Sequence, residues 1–251
     1  MRKVCSLHAV RVTLAVMAPA RPRNDIRQYD DLAGEWWRPG GAFTALHAVA
    51  VARGLLVPPA TRPGAVLVDV GCGGGLLAPH VAGKGYRHVG VDLVTSALEQ
   101  ALAHGVSAVR GDAVALPLAD GCADVVSAGE VLEHVHDLPG AVAEVCRVLR
   151  PGGRLVLDTI NSTWLARLLV VTIAEAVPGA APPGIHDPAL FVDPRRLMRE
   201  CAVHGVRLRV RGVRPQLRGA LRWLLTRRGD LPIVPTWSTA VLYQGVGVKD
   251  G

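Results

Sequence analysis

The sequence predicts an α/β fold in which a doubly wound, mostly parallel seven-stranded sheet carries a helical insertion after its fifth strand. Three observations support this prediction. Strand and helix signals alternate from residue 66 onward, the first strand enters a glycine cluster at residues 71–75, and the second strand ends in an acid, Asp92. Alternation at this rhythm is typical of βαβ units, which form a parallel sheet covered by helices on both faces.

Each strand is predicted from a short apolar run that is bounded by turn residues. The sixth run alternates apolar residues with arginine, as an edge strand does. Together the runs indicate a Rossmann-like sheet. The seven predicted strands are residues 65–70, 88–92, 106–110, 123–128, 154–159, 206–213 and 239–248.

The helices between the strands are predicted from apolar periodicity and from their starting signals. Ser96 and Glu99 have the spacing of a capping box, and Asp193 before Pro194 is an N-cap with proline at the first helical position. The predicted helices cover residues 76–84, 96–104, 138–149 and 194–204.

Length and composition fit one folded domain, predicted at residues 25–251, after a disordered tail at residues 1–24. Half of the 251 residues are apolar, which is ample for a core. The five cysteines are scattered and form no CxxC pair, so we expect neither disulfides nor a zinc cluster. Reduced thiols predict a cytoplasmic location.

The net charge is positive, because 28 Lys and Arg outnumber 21 Asp and Glu and give +7. Such charge attracts nucleic acid or anionic lipid, or it forms an ordinary arginine-rich surface. We predict no nucleic-acid partner, because the few aromatic residues (five Trp, three Tyr and two Phe) form no stacking array.

The glycine cluster has the pattern GxGxG, with Gly71, Gly73 and Gly75 in the fixed positions. Glycine lets the backbone approach a ligand that a Cβ would block. Leu76 follows, so the dinucleotide pattern GxGxxG is not met. With an acid at the end of the second strand, the pattern indicates a site for S-adenosylmethionine (SAM). Asp92 lies roughly twenty residues after the first glycine, where a carboxylate accepts hydrogen bonds from both ribose hydroxyls.

The third and fourth strands offer further ligand contacts, because ligands of open α/β sheets bind at the carboxyl ends of strands. Asp112 follows the third strand and either accepts from an adenine amino group or forms an Asx turn. Gly129 ends the fourth strand, where a backbone carbonyl or a small residue faces the cofactor.

Two carboxylates and an imidazole follow immediately, as Glu130, Glu133 and His134. On a helical turn, residues at i, i+3 and i+4 share a face. Three interpretations are open from the residues alone. The trio could bind a divalent cation such as Mg²⁺, His134 could be a general base for a phenol proton, or the side chains could cap a helix and pair with neighbouring charges.

These motifs resemble class I SAM-dependent methyltransferases, and most of all the ubiquinone-biosynthesis O-methyltransferase family (UbiG-type). The glycine cluster and the two core segments that follow it occur across many methyltransferases. The segment at residues 35–43, which contains the tryptophan pair Trp36 and Trp37, is more selective, as are residues 184–187 and 191–194. The segments that carry the resemblance are residues 35–43, 46–47, 69–75, 130–135, 149–153, 184–187 and 191–194, within residues 25–248.

The resemblance implies a SAM-dependent O-methyltransferase that acts on a phenolic hydroxyl of a lipophilic, quinone-precursor-like ring. It implies that Arg53 helps to bind SAM, that Gly71 and Asp92 are the cofactor glycine and the ribose acid, and that Gly129 is a cofactor contact. It also implies a metal role for the trio at residues 130, 133 and 134. Two alternatives stay open: a methyltransferase of a soluble secondary metabolite, and a non-catalytic SAM-binding subunit of a membrane-associated complex.

Residues 164–177 are apolar around most of a predicted helix, with a narrow polar strip that holds Arg167 and Glu175. The segment is too short to span a bilayer. It is either a buried lid over the substrate pocket or a lid that touches the inner face of the membrane. The resemblance favours membrane contact, which the basic amphipathic stretch at residues 214–228 would strengthen by attracting anionic lipid.

Overall fold

The computed structural model describes residues 21–226 and 231–251, and most of the predicted tail (residues 1–20) lies outside this part. Eight strands form one sheet in the order β3-β2-β1-β4-β5-β8-β6-β7. The first five strands pair in parallel, and the remaining three pair antiparallel. The strands are β1 (Val66–Val70), β2 (Arg87–Asp92), β3 (Ser107–Arg110), β4 (Ala123–Gly129), β5 (Leu149–Ile160), β6 (Val206–Pro215), β7 (Ile233–Thr236) and β8 (Leu242–Lys249).

The doubly wound, mostly parallel sheet is confirmed, but the predicted number of seven strands is wrong by one. The additional strand β7 has four residues, one of them a proline, so its sequence lacks a recognisable strand pattern. It pairs with the end of β6 at Gly212–Pro215, while β8 covers the other side of β6. The sixth strand is therefore an edge strand only over its first half.

The helices predicted between the strands lie close to their predicted positions, with one error of capping, but the two helices that precede β1 were not predicted. The helix after β2 begins at Thr95, its N-cap is Val94, and no side chain caps it. The hydroxyl of Ser96 donates instead to Asp30 at 2.7 Å, so the predicted capping box is wrong. The N-cap at Asp193 is confirmed, since its side chain accepts from the Arg196 N–H. The helices are α1 (Arg27–Asp31), α2 (Thr44–Gly54), α3 (Ala78–Val81), α4 (Thr95–Ala103), α5 (Leu138–Val148), α6 (Trp164–Ala166), α7 (Pro194–Val203) and α8 (Leu217–Thr226).

The core lies on both faces of the sheet, because successive side chains of a strand point to opposite faces. On β1, Val68 belongs to the cluster that packs against α5 and α7, while Leu67 belongs to the cluster that includes Leu77 and Val81 beside the glycine turn. These side chains have 0–2% of their surface exposed. This packing fixes the carboxyl ends of the central strands, where the site lies.

The segment after β5 begins as α6, with Thr163 as N-cap, and continues as a π-helix (Arg167–Ile173) and a 3-10 turn (Ala174–Ala176). We call residues 164–176 the insertion helix. A π-helix has more residues per turn than an α-helix, so its faces do not follow α-helical periodicity. The two polar residues of the predicted narrow strip differ in environment, because Arg167 is exposed and Glu175, in the 3-10 turn, is buried. In the described residues, no helix has the length and apolar character needed to cross a membrane.

Candidate functional site

A cavity of about 180 Å³ opens at the carboxyl ends of β1 to β4. It brings together most of the residues that the sequence singled out, although they come from five separate stretches of chain. Two are absent from its lining, Gly75 and Glu133. The predicted residues that line the cavity are Arg53, Gly71, Gly73, Asp92, Asp112, Gly129, Glu130 and His134.

The glycine turn is held against the tryptophan pair. Gly73 has a left-handed φ of 51°, and a Cβ there would lie 2.5 Å from the indole of Trp36. The neighbouring Trp37 donates from its indole N–H to the Gly74 carbonyl at 2.8 Å. The two tryptophans therefore shape the turn, a role that the sequence did not reveal. Gly75 lies outside the cavity lining, where its Cα approaches Ala101 of α4 so closely that a Cβ would lie 3.0 Å from the Ala101 Cα.

Asp92 fastens the same turn to β2. One carboxylate oxygen accepts from the Gly73 N–H at 2.8 Å and the other accepts from the Val94 N–H at 2.9 Å. Burial raises the pKa of Asp92, and these backbone N–H groups oppose the rise. Each oxygen keeps a lone pair for a ligand hydroxyl. Asp112 also lines the cavity, and its carboxylate accepts from the Val114 N–H at 3.1 Å in the Asx-turn arrangement.

Arg53 of α2 covers the end of β4. Its Nη1 donates to Asp158 Oδ1 at 2.7 Å, in a pair whose side chains are 9% and 1% exposed. Burial raises the pKa of Asp158, and Arg53 only partly opposes the rise. A Cβ at position 129 would lie 1.1 Å from Arg53 Nη1, so Gly129 makes room for the guanidinium. Within the described residues the buried Arg53 Nε has no hydrogen-bond partner, which leaves a donor for an anionic ligand group.

The three candidate metal ligands do not share a helical face. Glu130 precedes the 3-10 turn Leu132–His134 and has a left-handed φ of 50°, so the spacing argument fails. Glu133 is fully buried and accepts from the Thr159 hydroxyl at 2.7 Å. Among residues 21–226 and 231–251, no three or more His, Cys, Asp or Glu side chains are grouped so that they could hold a metal ion. This arrangement does not fit a preformed cation site.

Glu130 and Glu133 instead form a buried acidic pair. Burial and then the neighbouring Glu133 raise the pKa of Glu130 well above its usual range, and burial raises the pKa of Glu133 to about 7. The Oε1 atoms of both side chains are buried, and neither has a hydrogen-bond donor in the described part of the chain. One proton held by the pair removes the repulsion between the two buried carboxylates.

His134 is the member of the trio that both lines the cavity and belongs to the 3-10 turn. Its Nδ1 lies 2.7 Å from Asn24 Oδ1, and its Nε2 lies 3.5 Å from the Tyr29 hydroxyl. Burial and then His186 lower the pKa of His134 to about 3, so the imidazole is neutral at physiological pH. A neutral imidazole can accept a proton.

Asn24 and Tyr29 are site residues that the sequence did not reveal. Residues 1–24 are predicted as a tail outside the folded domain, yet Arg23 and Asn24 contact the domain and Asn24 lines the cavity. Asn24 and His134 are separated by 110 residues, and no local pattern connects them. Tyr29 lies a few residues before the tryptophan pair in the sequence, and this clustering of aromatic residues was the available signal that Tyr29 lines the site.

Comparison with known proteins identifies the family. Residues 68–157 match the family model described as "Methyltransferase domain". The ubiquinone biosynthesis O-methyltransferase of Burkholderia pseudomallei is 36% identical over 185 residues, which cover 70% of this chain and 79% of that protein. The enzyme of the same name from Idiomarina loihiensis is also 36% identical, with 70% and 76% of the two chains covered.

Solved structures with a similar fold are also SAM-dependent methyltransferases. A SAM-dependent methyltransferase from Thermotoga maritima superposes with a TM-score of 0.63 at 19% identity, over 89% of this chain and 98% of that one. A second from Mesorhizobium loti gives 0.55 at 19% identity, over 79% and 96%. The glycine turn, the acid at the end of β2 and these relatives agree: the chain belongs to the family of SAM-dependent O-methyltransferases that includes the ubiquinone biosynthesis enzymes.

Proposed function

We propose that this enzyme transfers a methyl group from SAM to a phenolic hydroxyl on a lipophilic aromatic ring. The observation that carries the proposal is the position of the His134 imidazole in the cavity that also contains the glycine turn and Asp92. A proton acceptor and a cofactor site in one cavity are what methyl transfer to a hydroxyl needs, because the reaction requires alignment and removal of one proton.

The cofactor residues follow from the free donors and acceptors of the cavity. Bound SAM supplies a methyl group that its sulfonium makes electrophilic. Asp92 would accept hydrogen bonds from the ribose hydroxyls, and the unpaired Nε of Arg53 would donate to the carboxylate. The backbone of Gly71 and Gly73 leaves room for the ligand, and Asp112 would accept from the adenine amino group.

The acceptor side of the cavity is aromatic and apolar. Tyr29 stacks with Trp36 at a ring-centroid distance of 6.0 Å, and Ile26, Leu46 and Val135 are among the apolar residues that line the cavity. An aromatic ring buries apolar area here and stacks favourably. Burial and the acidic groups of the site raise the pKa of Tyr29, which keeps its hydroxyl a hydrogen-bond donor.

His134 receives the phenol proton in this mechanism. Its Nε2 has a free lone pair at physiological pH, and the hydroxyl becomes acidic as its oxygen bonds to carbon. The Glu130–Glu133 pair is the second candidate base, because the pKa of Glu133 is about 7. If kcat changes with an apparent pKa near 7, the pair accepts the proton. If kcat is constant from pH 5 to 8, His134 accepts it. Mg²⁺, which the sequence suggested, enters no step because the donor set does not fit it.

The direct test is methyl transfer from labelled SAM to phenolic lipids and to soluble phenols, with product identification. We expect transfer to lipophilic phenols and a loss of about 100-fold or more in kcat for His134→Ala. His204→Ala, an exposed histidine that follows α7, is the matched control. Transfer confined to soluble phenols would indicate a soluble secondary metabolite, and SAM binding without transfer would indicate a non-catalytic subunit.

We also propose that the protein collects its substrate at the cytoplasmic surface of an anionic membrane. The insertion helix exposes Trp164 (75%), Leu168 (42%) and Ile173 (47%). On α8, Leu217 and Leu225 are more than 70% exposed, and arginines accompany them. Arg227 and Arg228 of the predicted basic stretch lie outside the described residues.

The helix α8 lies close to the chain that follows the insertion helix, since the buried Trp223 of α8 lies against Gly179. Buried apolar area would supply most of the affinity, at about 25 cal/mol per Å². Each arginine near the surface would add about 1 kcal/mol of attraction to anionic lipid, which salt screens.

Flotation with phosphatidylcholine vesicles tests this second proposal. The phosphatidylglycerol content is varied from 0 to about 40%, which varies the negative surface charge. Binding should rise with anionic lipid and fall with salt. Replacement of Leu168, Leu169 and Ile173 by serine should weaken it at every salt concentration. Leu102→Ser, on α4, replaces a comparably exposed leucine (57%) as control. Absence of wild-type binding to every vesicle would contradict the proposal and leave the insertion helix as a cover of the cavity.

A further inference from the structure

Asn24 is held in an unfavourable backbone conformation at a functional position. Its φ is 57°, in the left-handed region that asparagine tolerates better than most residues. Residues in sparsely populated conformations persist only where the surroundings fix them, and they concentrate at functional sites. Here the surroundings include a backbone hydrogen bond from the Asn24 N–H to the Gly184 carbonyl at 3.0 Å.

The preceding residue anchors this conformation to the insertion helix. Arg23 donates through Nη2 to both carboxylate oxygens of Glu175, at 2.6 and 2.5 Å, and through Nε to the His186 carbonyl at 2.5 Å. Glu175 also accepts from the Gly184 N–H at 2.8 Å. Although burial opposes it, His186 and Arg23 lower the pKa of Glu175 to about 2, so the carboxylate stays charged.

The Asn24 side chain makes two hydrogen bonds to one residue, His134. Its Nδ2 donates to the His134 carbonyl at 3.0 Å, and its Oδ1 lies 2.7 Å from His134 Nδ1. The first contact fixes which end of the amide is oxygen, because a carbonyl accepts only from the NH₂ group. Oδ1 must then accept, so His134 Nδ1 carries the hydrogen.

We propose that Asn24 is a positioning residue that selects the Nδ1–H tautomer of His134 and thereby presents an unprotonated Nε2 to the acceptor hydroxyl. The inference rests on the proposed role of His134 as proton acceptor. The other neighbours of the ring do not select a tautomer. His186 stacks on it at 5.4 Å between centroids, and the Tyr29 hydroxyl is 3.5 Å from Nε2, too far for a strong hydrogen bond.

Two variants separate the tautomer from mere packing. Asn24→Ala removes the acceptor for Nδ1–H. Asn24→Asp keeps an acceptor and tolerates the left-handed conformation, but it loses the donation to the His134 carbonyl. The matched control is Gln28→Ala, since Gln28 Nε2 bonds the same Gly184 carbonyl at 3.4 Å without touching His134.

The tautomer is read from the ¹⁵N spectrum of histidine-labelled protein, with the His134 signal assigned by its loss in His134→Ala. Wild type, Asn24→Asp and Gln28→Ala should show the Nδ1–H pattern, and Asn24→Ala should lose it. The kcat of Asn24→Ala should fall about 10- to 100-fold with the KM for SAM unchanged. This loss is smaller than the loss expected when the general base itself is removed. Asn24→Asp should recover most of kcat.

Failure of this inference is distinguishable from failure of the proposed function. An Nε2–H pattern in the wild type, or an unchanged pattern and kcat in Asn24→Ala, overturns the role of Asn24 while His134→Ala still reports on the base. Full activity in His134→Ala overturns the base, and the role of Asn24 with it.

Discussion

Replacing Gly129 by alanine should displace the Arg53 guanidinium and thereby weaken SAM binding. The new Cβ would lie 1.1 Å from Arg53 Nη1 and 1.9 Å from Cζ, so the two groups cannot coexist. The guanidinium is the end of a flexible side chain and can move only by leaving Asp158, its partner at 2.7 Å. Asp158 would then be a buried carboxylate without its cation.

The expected cost follows from these contacts. Deleting one partner of a buried ion pair costs about 3–5 kcal/mol, but here the arginine remains and the raised pKa of Asp158 lets it take up a proton. We therefore expect about 2 kcal/mol of lost stability, or a fall of roughly 4–8 °C in Tm. Loss of one charge-assisted hydrogen bond to the ligand costs about 1.5–3 kcal/mol, which is roughly a 10- to 150-fold weaker Kd for SAM.

Calorimetry of SAM binding and thermal unfolding measure the two effects. Gly83→Ala is the control, since nothing lies within 4 Å of a Cβ built there. A double-mutant cycle with Arg53→Ala is decisive, because Gly129→Ala should add almost nothing once Arg53 is absent. Wild-type affinity and Tm in Gly129→Ala, or losses that add to those of Arg53→Ala, would refute the reasoning.

Three further outcomes follow from the site. Asp92→Ala should weaken SAM binding about 10- to 100-fold, since it removes the ribose acceptor and frees the glycine turn; calorimetry with unchanged affinity in the folded variant would contradict this. Chelation by EDTA should change kcat by less than about twofold, because no described group of carboxylates and histidines fits a cation; loss of turnover that Mg²⁺ restores would return the metal to the mechanism. Because the folded pKa of Glu133 is about 7 and its ordinary value is 4.5, the wild type should lose stability as pH rises between these values, and Glu133→Gln should avoid a loss on the order of 1–3 kcal/mol. Urea unfolding at pH 5 and pH 8 measures this difference, and equal slopes with pH in the two proteins would count against the buried acidic pair.

The sequence by itself determined the sheet and the cofactor end of the site. Strand signals have a period of two and helix signals a period of 3.6, so both are visible in a short window. The left-handed conformation at Gly71 and Gly73 is a local demand that glycine meets. Asp92 followed from the parallel topology, which brings the ends of consecutive strands to one edge.

Local patterns failed where the chain was short or irregular. The extra strand β7 has four residues, and the π-helical segment has a different number of residues per turn from the α-helix that was assumed. Glu175 follows the π-helical segment in a 3-10 turn and pairs with Arg23 and His186.

Only the tertiary structure decided how the chemical groups of the site are divided among roles. Glu130, Glu133 and His134 are nearly adjacent in sequence, yet the left-handed φ at Glu130 and the 3-10 turn separate their side chains. Glu130 and His134 line the cavity, whereas Glu133 lies outside its lining and accepts from the Thr159 hydroxyl. The tautomer of His134 depends on Asn24, 110 residues away. Side-chain direction at an irregular turn and contacts between distant segments are set by packing in three dimensions, which leaves no periodic trace in the sequence.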